Sequence, residues 1–428
     1  MSPDETALSG QLPLCTIVHM TIEPHLRRAR RGVFGAFFLT GFVLAIWLVN
    51  IPLVQERTGV SHGMLGGLLL LLGLGSFTAM QVLGWLIDRI GSRMGVLIGV
   101  VVLAGSISLP GLAGNAAGLG CALFAVGLGN GALDIAMNDQ AVVVERRYGR
   151  PIMSAFHGFF SVGGAAGALA GAGMQLLGWN IHLVFGLTAV LAATIGAFSL
   201  VALLPKQACA PQEMNDDGDP TTAVATGHAV VAGPASGTGR RVFALAVLAF
   251  VLMLAEGVAG DWSALHAVEH LAQPAAAASL AYGAFAVFMT IGRFTADRIS
   301  GRFGAVAVVR VGSGLAAAGL LTVIVSGSYP LTLAGWALFG IGLSGVVPQI
   351  FTAAGNLATS GQGVLLARVV SAGYLGLLAG PAVIGWMSAW TGLTLAFLLP
   401  CLFCLLGVAL AANVRGRKVA KTPVPVTV

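Results

Sequence analysis

The sequence predicts an all-α membrane protein, with twelve transmembrane helices arranged as two parallel six-helix bundles. Three observations predict it. Apolar runs of about 18 residues or more recur along the chain, and each can cross a bilayer. Lys and Arg gather in alternate connections, as the positive-inside rule requires. One charged turn recurs at a constant offset in the two halves, which marks an internal duplication.

Composition supports the same class. The chain has 428 residues, 57% of them hydrophobic and only 9% charged, with a mean hydropathy of +0.91. Length alone suggests several soluble domains, but such a chain lacks the polar groups to cover their surfaces. The apolar runs fall at 33–54, 64–87, 94–114, 117–141, 153–176, 181–204, 242–264, 278–298, 304–326, 331–354, 364–388 and 392–413. The eighth and ninth carry Arg293 and Arg310 and are the least clean.

The elements between the spans follow in order. Residues 1–32 read as a cytoplasmic tail, with Met20 as an alternative start. The first apolar run is too long for a cleavable signal peptide. Arg27, Arg28, Arg30 and Arg31 precede span 1, Arg89 and Arg93 follow span 2, and Arg146, Arg147 and Arg150 follow span 4. Lys206, Arg240 and Arg241 lie between spans 6 and 7, and Arg293, Arg298, Arg302 and Arg310 cluster at the 8–9 turn. Arg368 is near the start of span 11, and Arg415, Arg417, Lys418 and Lys421 follow span 12. Of the 22 cations only Arg57 is left for the other side. This asymmetry puts both termini in the cytoplasm. It also explains the net charge of +6 without a nucleic-acid partner. Residues 33–204 and 241–413 form the two bundles, and 414–428 form a second tail.

The stretch 205–240 is rich in Pro, Gly, Ala and Thr, and reads as a cytoplasmic linker that cannot bury enough apolar surface to fold alone. Its Asp216, Asp217 and Asp219 suit a solvated turn better than a metal site. Among the five cysteines, Cys401 and Cys404 make a C-x-x-C within "LPCLFCLLGV". With no partner ligands nearby, these read as lipid-depth thiols. No cofactor or metal is expected.

The repeat aligns "GWLIDRIGSRMG" (84–95) with "RFTADRISGRFG" (293–304) at an offset of 209. Asp88 falls on Asp297, Arg89 on Arg298 and Arg93 on Arg302. The same offset carries Gly164, Gly167 and Gly171 onto Gly373, Gly376 and Gly380. Both copies lie on one side, so the halves relate by an axis along the membrane normal.

The G-x-x-x-D-R-x-G-x-R pattern after span 2, repeated after span 8 in a 6+6 layout, resembles the major facilitator superfamily over residues 33–413. "ALDIAMNDQAVVVERRYGRPIMSAFHGFFSVGG", "AEGVAGDWSAL" and "GYLGLLAGPAVIG" resemble a bacterial branch related to fucose permeases. The resemblance implies the superfamily fold, a bacterial inner-membrane location, and spans 1, 4, 7 and 10 around a central cavity. It also implies that Asp88, Arg89 and Arg93 belong to an inner gate, with Gly84 permitting close helix approach. Asp297, Arg298 and Arg302 are the second copy. There Arg293 replaces the glycine that matches Gly84, and Ser300 replaces Gly91.

Span 4 holds the most pointed feature. At about 100° per residue, Asn130, Asp134 and Asn138 share one helical arc with Gly120, Gly127 and Gly131. An aspartate at the bilayer centre costs about 2.5–3.5 kcal/mol on insertion scales, and such groups persist where they face a cavity, a partner or a proton path. Two roles fit: a proton-carrying carboxylate, or a structural one bonded to Asn130, Asn138 or a neighbouring helix. His157, at a depth near Asn138 and Asp139, is a candidate relay partner. Glu256 supplies a second acid, expected in the outer half of span 7 while Asp134 sits in the inner half. Asp261, with Trp262, is expected near the outer edge, as an outer gate or an interfacial anchor.

Trp47 and Asn50 in span 1, and Trp336, Pro348 and Gln349 in span 10, suit stacking and hydrogen bonding to a polyol or sugar, or equally core packing and kinking. Arg368 suits an anion contact or a snorkelling residue.

These features favour a proton-coupled secondary transporter of a small solute, with sugar-like uptake ahead of drug or metabolite export. The rival of another class is a membrane receptor without transport. A membrane enzyme lacks support: there is no nucleophile–base set, H-E-x-x-H or phosphate loop. The expected partners are the bilayer, the solute and the proton, with a functional monomer.

Overall fold

The computed structural model describes residues 23–60, 62–206, 238–357 and 361–415. Most of the 205–240 linker and the tail residues before 23 and after 415 therefore lie outside the described residues.

Among the described residues, twelve helices are long and apolar enough to span a membrane: Pro24–Thr58, Gly67–Ile90, Ser92–Leu112, Ala116–Tyr148, Met153–Leu176, Ile181–Ala202, Gly239–Leu271, Ala277–Phe303, Ala305–Val325, Tyr329–Gly355, Gln362–Thr391 and Leu393–Val414. They are numbered spans 1–12 from here on. Each matches an expected run, and several are longer. Span 1 begins at Pro24, with proline in its first turn, where no intrahelical N–H is needed. Residues 24–32 are therefore helix rather than tail.

Local chemistry sets the ends and the breaks. Asn115 and Asn180 cap spans 4 and 6, accepting from Gly118 N and Leu183 N at 2.8 Å each. Gly59 and Gly149 close spans 1 and 4 in the left-handed region, at φ 65° each. Spans 3, 10 and 12 are interrupted just after Ser106, Leu343 and Ala396. A proline follows each interruption: Pro110, Pro348 and Pro400. Its ring displaces the carbonyl four residues back (Ser106, Ser344 and Ala396) and supplies no N–H.

Packing repeats with the sequence. Span 1 lies along span 5 and span 2 along span 4; span 7 lies along span 11 and span 8 along span 10. The crossings are close. A Cβ on Gly167 would strike the Phe42 carbonyl of span 1, and one on its repeat mate Gly376 would strike the Phe250 carbonyl of span 7. The two bundles meet through spans 2 and 11 and through spans 5 and 8. With twelve crossings, the start of span 1 and the end of span 12 lie on one face, the terminal face.

Candidate functional site

Two constellations join the bundles: one at the terminal face and one near mid-depth. At the terminal face, the starts of spans 5 and 11 lack a capping side chain of their own. Helix starts present unsatisfied amides and a positive dipole end, which favour a carboxylate. The opposite bundle supplies it. Asp88 accepts from Gly363 N at 2.9 Å and Val364 N at 3.4 Å. Asp297 accepts from Ser154 N at 2.9 Å and Ala155 N at 2.8 Å. Gly363 and Val364 are the repeat mates of Ser154 and Ala155 at the same 209-residue offset, so one contact is made twice.

Further bonds close this face. Glu145 of span 4 accepts from Ile152 N and Met153 N at 2.7 Å each, and from Thr352 Oγ1 of span 10 at 2.7 Å. Together Glu145 and Asp297 take up four consecutive amides at the start of span 5. Arg146 donates to Asn356 Oδ1 at 2.8 Å, Gly355 O at 3.0 Å and Gln362 Oε1 at 3.1 Å. Gln362 Nε2 donates to Asp139 Oδ1 at 2.8 Å. Sequence reasoning missed Glu145 and Gln362, which have no periodic signature.

Of the charged residues expected at the gate, only the two aspartates make hydrogen bonds across to the other bundle among the described residues. Arg89 stacks on Trp85, 3.7 Å from the ring centroid, and its carbonyl accepts from Lys206. Arg302 lies over Phe303 at 5.3 Å, Arg298 is exposed and Arg93 half-buried. Gly84 lies against Gly363 and Ala367 of span 11, where a Cβ would not fit.

Near mid-depth, Asp134 is 5% exposed and Asn138 fully buried. Asn138 Nδ2 donates to the Asp134 carbonyl at 2.9 Å, and Asn130 Nδ2 to Ser76 Oγ at 3.4 Å. Among the described residues, Asn130 Oδ1, Asp134 Oδ2 and Asn138 Oδ1 are buried without hydrogen-bond partners. Each such orphan costs roughly 1–3 kcal/mol. The phenol of Tyr374, on span 11 of the other bundle, interacts with the Asp134 carboxyl and the Asn130 side chain. It also lies within electrostatic range of Glu256. The glycines of the arc serve packing instead: Gly127 and Gly131 lie on the span 2 backbone at Leu72 and Ser76.

Glu256 is a correction. Span 7 runs from Gly239 to Leu271, well past the expected end, so Glu256 sits near its middle. Asp134 sits likewise near the middle of span 4. The two acids therefore share a depth. Nor is Glu256 a free buried acid: Arg293 Nη2 pairs with its Oε1 at 3.1 Å, and its side chain is 23% exposed. Arg293 also reaches the other bundle, donating to Ser161 Oγ at 2.6 Å and to the His157 carbonyl at 3.5 Å. In the sequence Arg293 reads as a flaw in span 8 and in the repeat and counts with the cations of the 8–9 turn; the structure places it inside span 8, paired with Glu256.

His157 is a second correction. Its ring packs against Phe37 and Phe351, at 5.0 and 5.9 Å between centroids. Its Nε2 has no partner among the described residues, and it forms no ion pair with a described carboxylate. Asp261 is exposed but lies within span 7, not at its end, for the same reason of length.

Three expected cavity residues point elsewhere. Trp47 is 2% exposed and packs on Phe185 at 6.4 Å within its own bundle. Asn50, fully buried, donates to Ile46 O at 2.8 Å and accepts from Gln175 of span 5 at 3.2 Å. Gln349 accepts from Ser300 of span 8 at 2.9 Å. These contacts are to helices of the same bundle, although Gln349 Nε2 is buried without a partner among the described residues. Arg368 is exposed on span 11.

The comparisons agree with this architecture. The Major Facilitator Superfamily model matches residues 245–427. An uncharacterized MFS-type transporter of Yersinia pestis is 35% identical over 381 residues, covering 89% of this chain and 94% of its own. The crystal structure of the transporter FucP in the outward conformation superposes with a TM-score of 0.72 at 17% identity, over 90% of this chain and 98% of that one. A second crystal structure, of a variant of the E. coli fucose:proton symporter FucP, gives 0.70 at 18%, over 90% of this chain and 98% of its own. Two repeated six-span bundles, and a relative of this identity matched along nearly its whole length, place the chain in the major facilitator superfamily.

Proposed function

We propose that the protein is a secondary active transporter which moves a small polar solute across a bacterial inner membrane by alternating access, coupled to protons. The observation that carries this reading is Asp134. It is buried at mid-depth, with one carboxylate oxygen unpartnered among the described residues, and faces Tyr374 from the other bundle. If the bundles rock, Tyr374 moves relative to Asp134 and water access changes. The proton affinity of the carboxyl then depends on conformation, which is what coupling requires. The distribution of cations supports a cytoplasmic terminal face. With that orientation the carboxylate caps close the cytoplasmic side, and the likeness to an outward-conformation transporter supports the same state. We take the protein to act as a monomer.

The orphaned acceptors on span 4 suit a hydroxyl-rich solute, and the resemblance to fucose permeases favours sugar-like uptake over export. A thermal-shift screen of the purified protein against sugars, polyols, organic acids and drugs at two pH values tests this. The expected result is a hydroxyl-rich ligand whose binding depends on pH in the parent but not in Asp134→Asn. The same pH dependence in both proteins overturns the role of Asp134.

A further inference from the structure

We propose that the end of span 7 and the turn between spans 11 and 12 bind a divalent transition-metal ion, on the face opposite the termini, through His266 and His270. The site is separate from the mid-depth constellation and does not depend on the transport reading.

His266 and His270 are four residues apart, so they lie on one face of the helix. Their ring centroids are 5.1 Å apart. Two imidazoles at the ~2.1 Å Zn–N distance with a tetrahedral angle put their ring centres roughly 5 Å apart. The spacing therefore suits one ion; the rings are stacked at 23°, so the exposed His270 ring has to turn to bring a lone pair towards His266 Nδ1. His266 is fully buried. Its Nε2 lies 3.2 Å from Thr394 Oγ1, and its Nδ1 is buried without a partner among the described residues. When Nε2–H donates to the threonine, the free lone pair falls on Nδ1. Holding one ring nitrogen by a hydrogen bond is how metal-binding histidines are oriented.

The surroundings favour a cation. A cavity of about 290 Å³ opens here, lined by both histidines, Glu269, Thr391 and Thr394. The helix ends at Leu271, so its last-turn carbonyls and the Glu269 carboxylate add negative potential. Among the described residues no three His, Cys, Asp or Glu side chains already form a metal-holding group. The site is accordingly an open two-imidazole chelate whose remaining positions take water, and the ion is exchangeable rather than structural. Imidazole donors select Zn²⁺, Ni²⁺ or Cu²⁺ over Mg²⁺ and Ca²⁺. Binding would fasten the end of span 7 beside the turn that carries Thr394.

The test is calorimetric titration of the full-length protein, freed of any affinity tag, with ZnCl₂, NiCl₂ and MgCl₂, alongside thermal melts. His270 is exposed, so His270→Ala should fold normally. The expected result is saturable binding of one Zn²⁺ or Ni²⁺, with a raised Tm and no response to Mg²⁺. His270→Ala should weaken binding by more than about tenfold, while His182→Ala, in the other bundle beside Arg57, leaves it unchanged. Parent-like binding in His270→Ala, or no saturable binding by the parent, overturns the proposal.

Discussion

Asp88 and Asp297 make the same contact in opposite directions. Each leaves its own bundle and caps the second and third residues of a helix in the other. A duplicated turn has thereby become a pair of reciprocal clasps on one face of the molecule.

Removing a clasp should loosen that face. An N-cap carboxylate contributes about 0.5–2 kcal/mol, so Asp297→Ala should shift any open–closed equilibrium roughly 2–30-fold towards opening. Spin labels at Arg147→Cys and Arg298→Cys, both exposed, would report it as a longer distance population. Asp88→Ala should do the same. Unchanged distances in both variants would mean that the caps do not govern closure.

The Glu256–Arg293 pair predicts a thermodynamic cycle. Glu256→Gln strands a guanidinium that is 9% exposed. Breaking a fully buried pair costs roughly 3–5 kcal/mol; with Glu256 23% exposed, a smaller loss is expected. Arg293→Met combined with Glu256→Gln should recover part of that loss. Additive drops in Tm would show that the two side chains are not coupled.

Asp134 and Tyr374 should control pH dependence together. A phenol facing a buried carboxyl changes its proton affinity, and about 1.4 kcal/mol of difference between the two protonation states moves it by one pH unit. Tyr374→Phe should move the midpoint pH of ligand binding by that order. Asp134→Asn should abolish proton-driven accumulation in proteoliposomes while sparing downhill exchange. Accumulation that survives Asp134→Asn would place the coupling site elsewhere.

Two glycines of span 5 offer a packing test. Gly167 abuts the Phe42 carbonyl, whereas Gly173 has open space where a Cβ would stand. Gly167→Val should therefore lose about 1–3 kcal/mol or more by overpacking, and Gly173→Val should fold nearly as well as the parent. Yields and melting curves in detergent separate the two.

The twelve spans, their order and the repeat were all legible in the sequence. Hydropathy measures a property of each segment alone, and in a bilayer that property decides whether the segment crosses. The interruptions of spans 3, 10 and 12 were less legible: a proline follows each, but Pro52 and Pro381 lie inside helices that run on unbroken. The Asn130–Asp134–Asn138 arc was legible too, because helical periodicity fixes which side chains share a face.

Pairing between helices was not legible. Glu256 with Arg293, Asp134 with Tyr374 and His157 among aromatic rings depend on how each helix is rotated, tilted and set in depth against its neighbours. Neighbour packing fixes those variables, and segment hydropathy does not. Trp47 and Asn50 show the consequence: polar and aromatic residues on a suitable span still turned into the seam of their own bundle. The sequence by itself determined the count, polarity and duplication of the spans, because these are sums over local chemistry. Only the tertiary structure decided which acid is paired and which stands open, because that choice belongs to side chains meeting across two bundles.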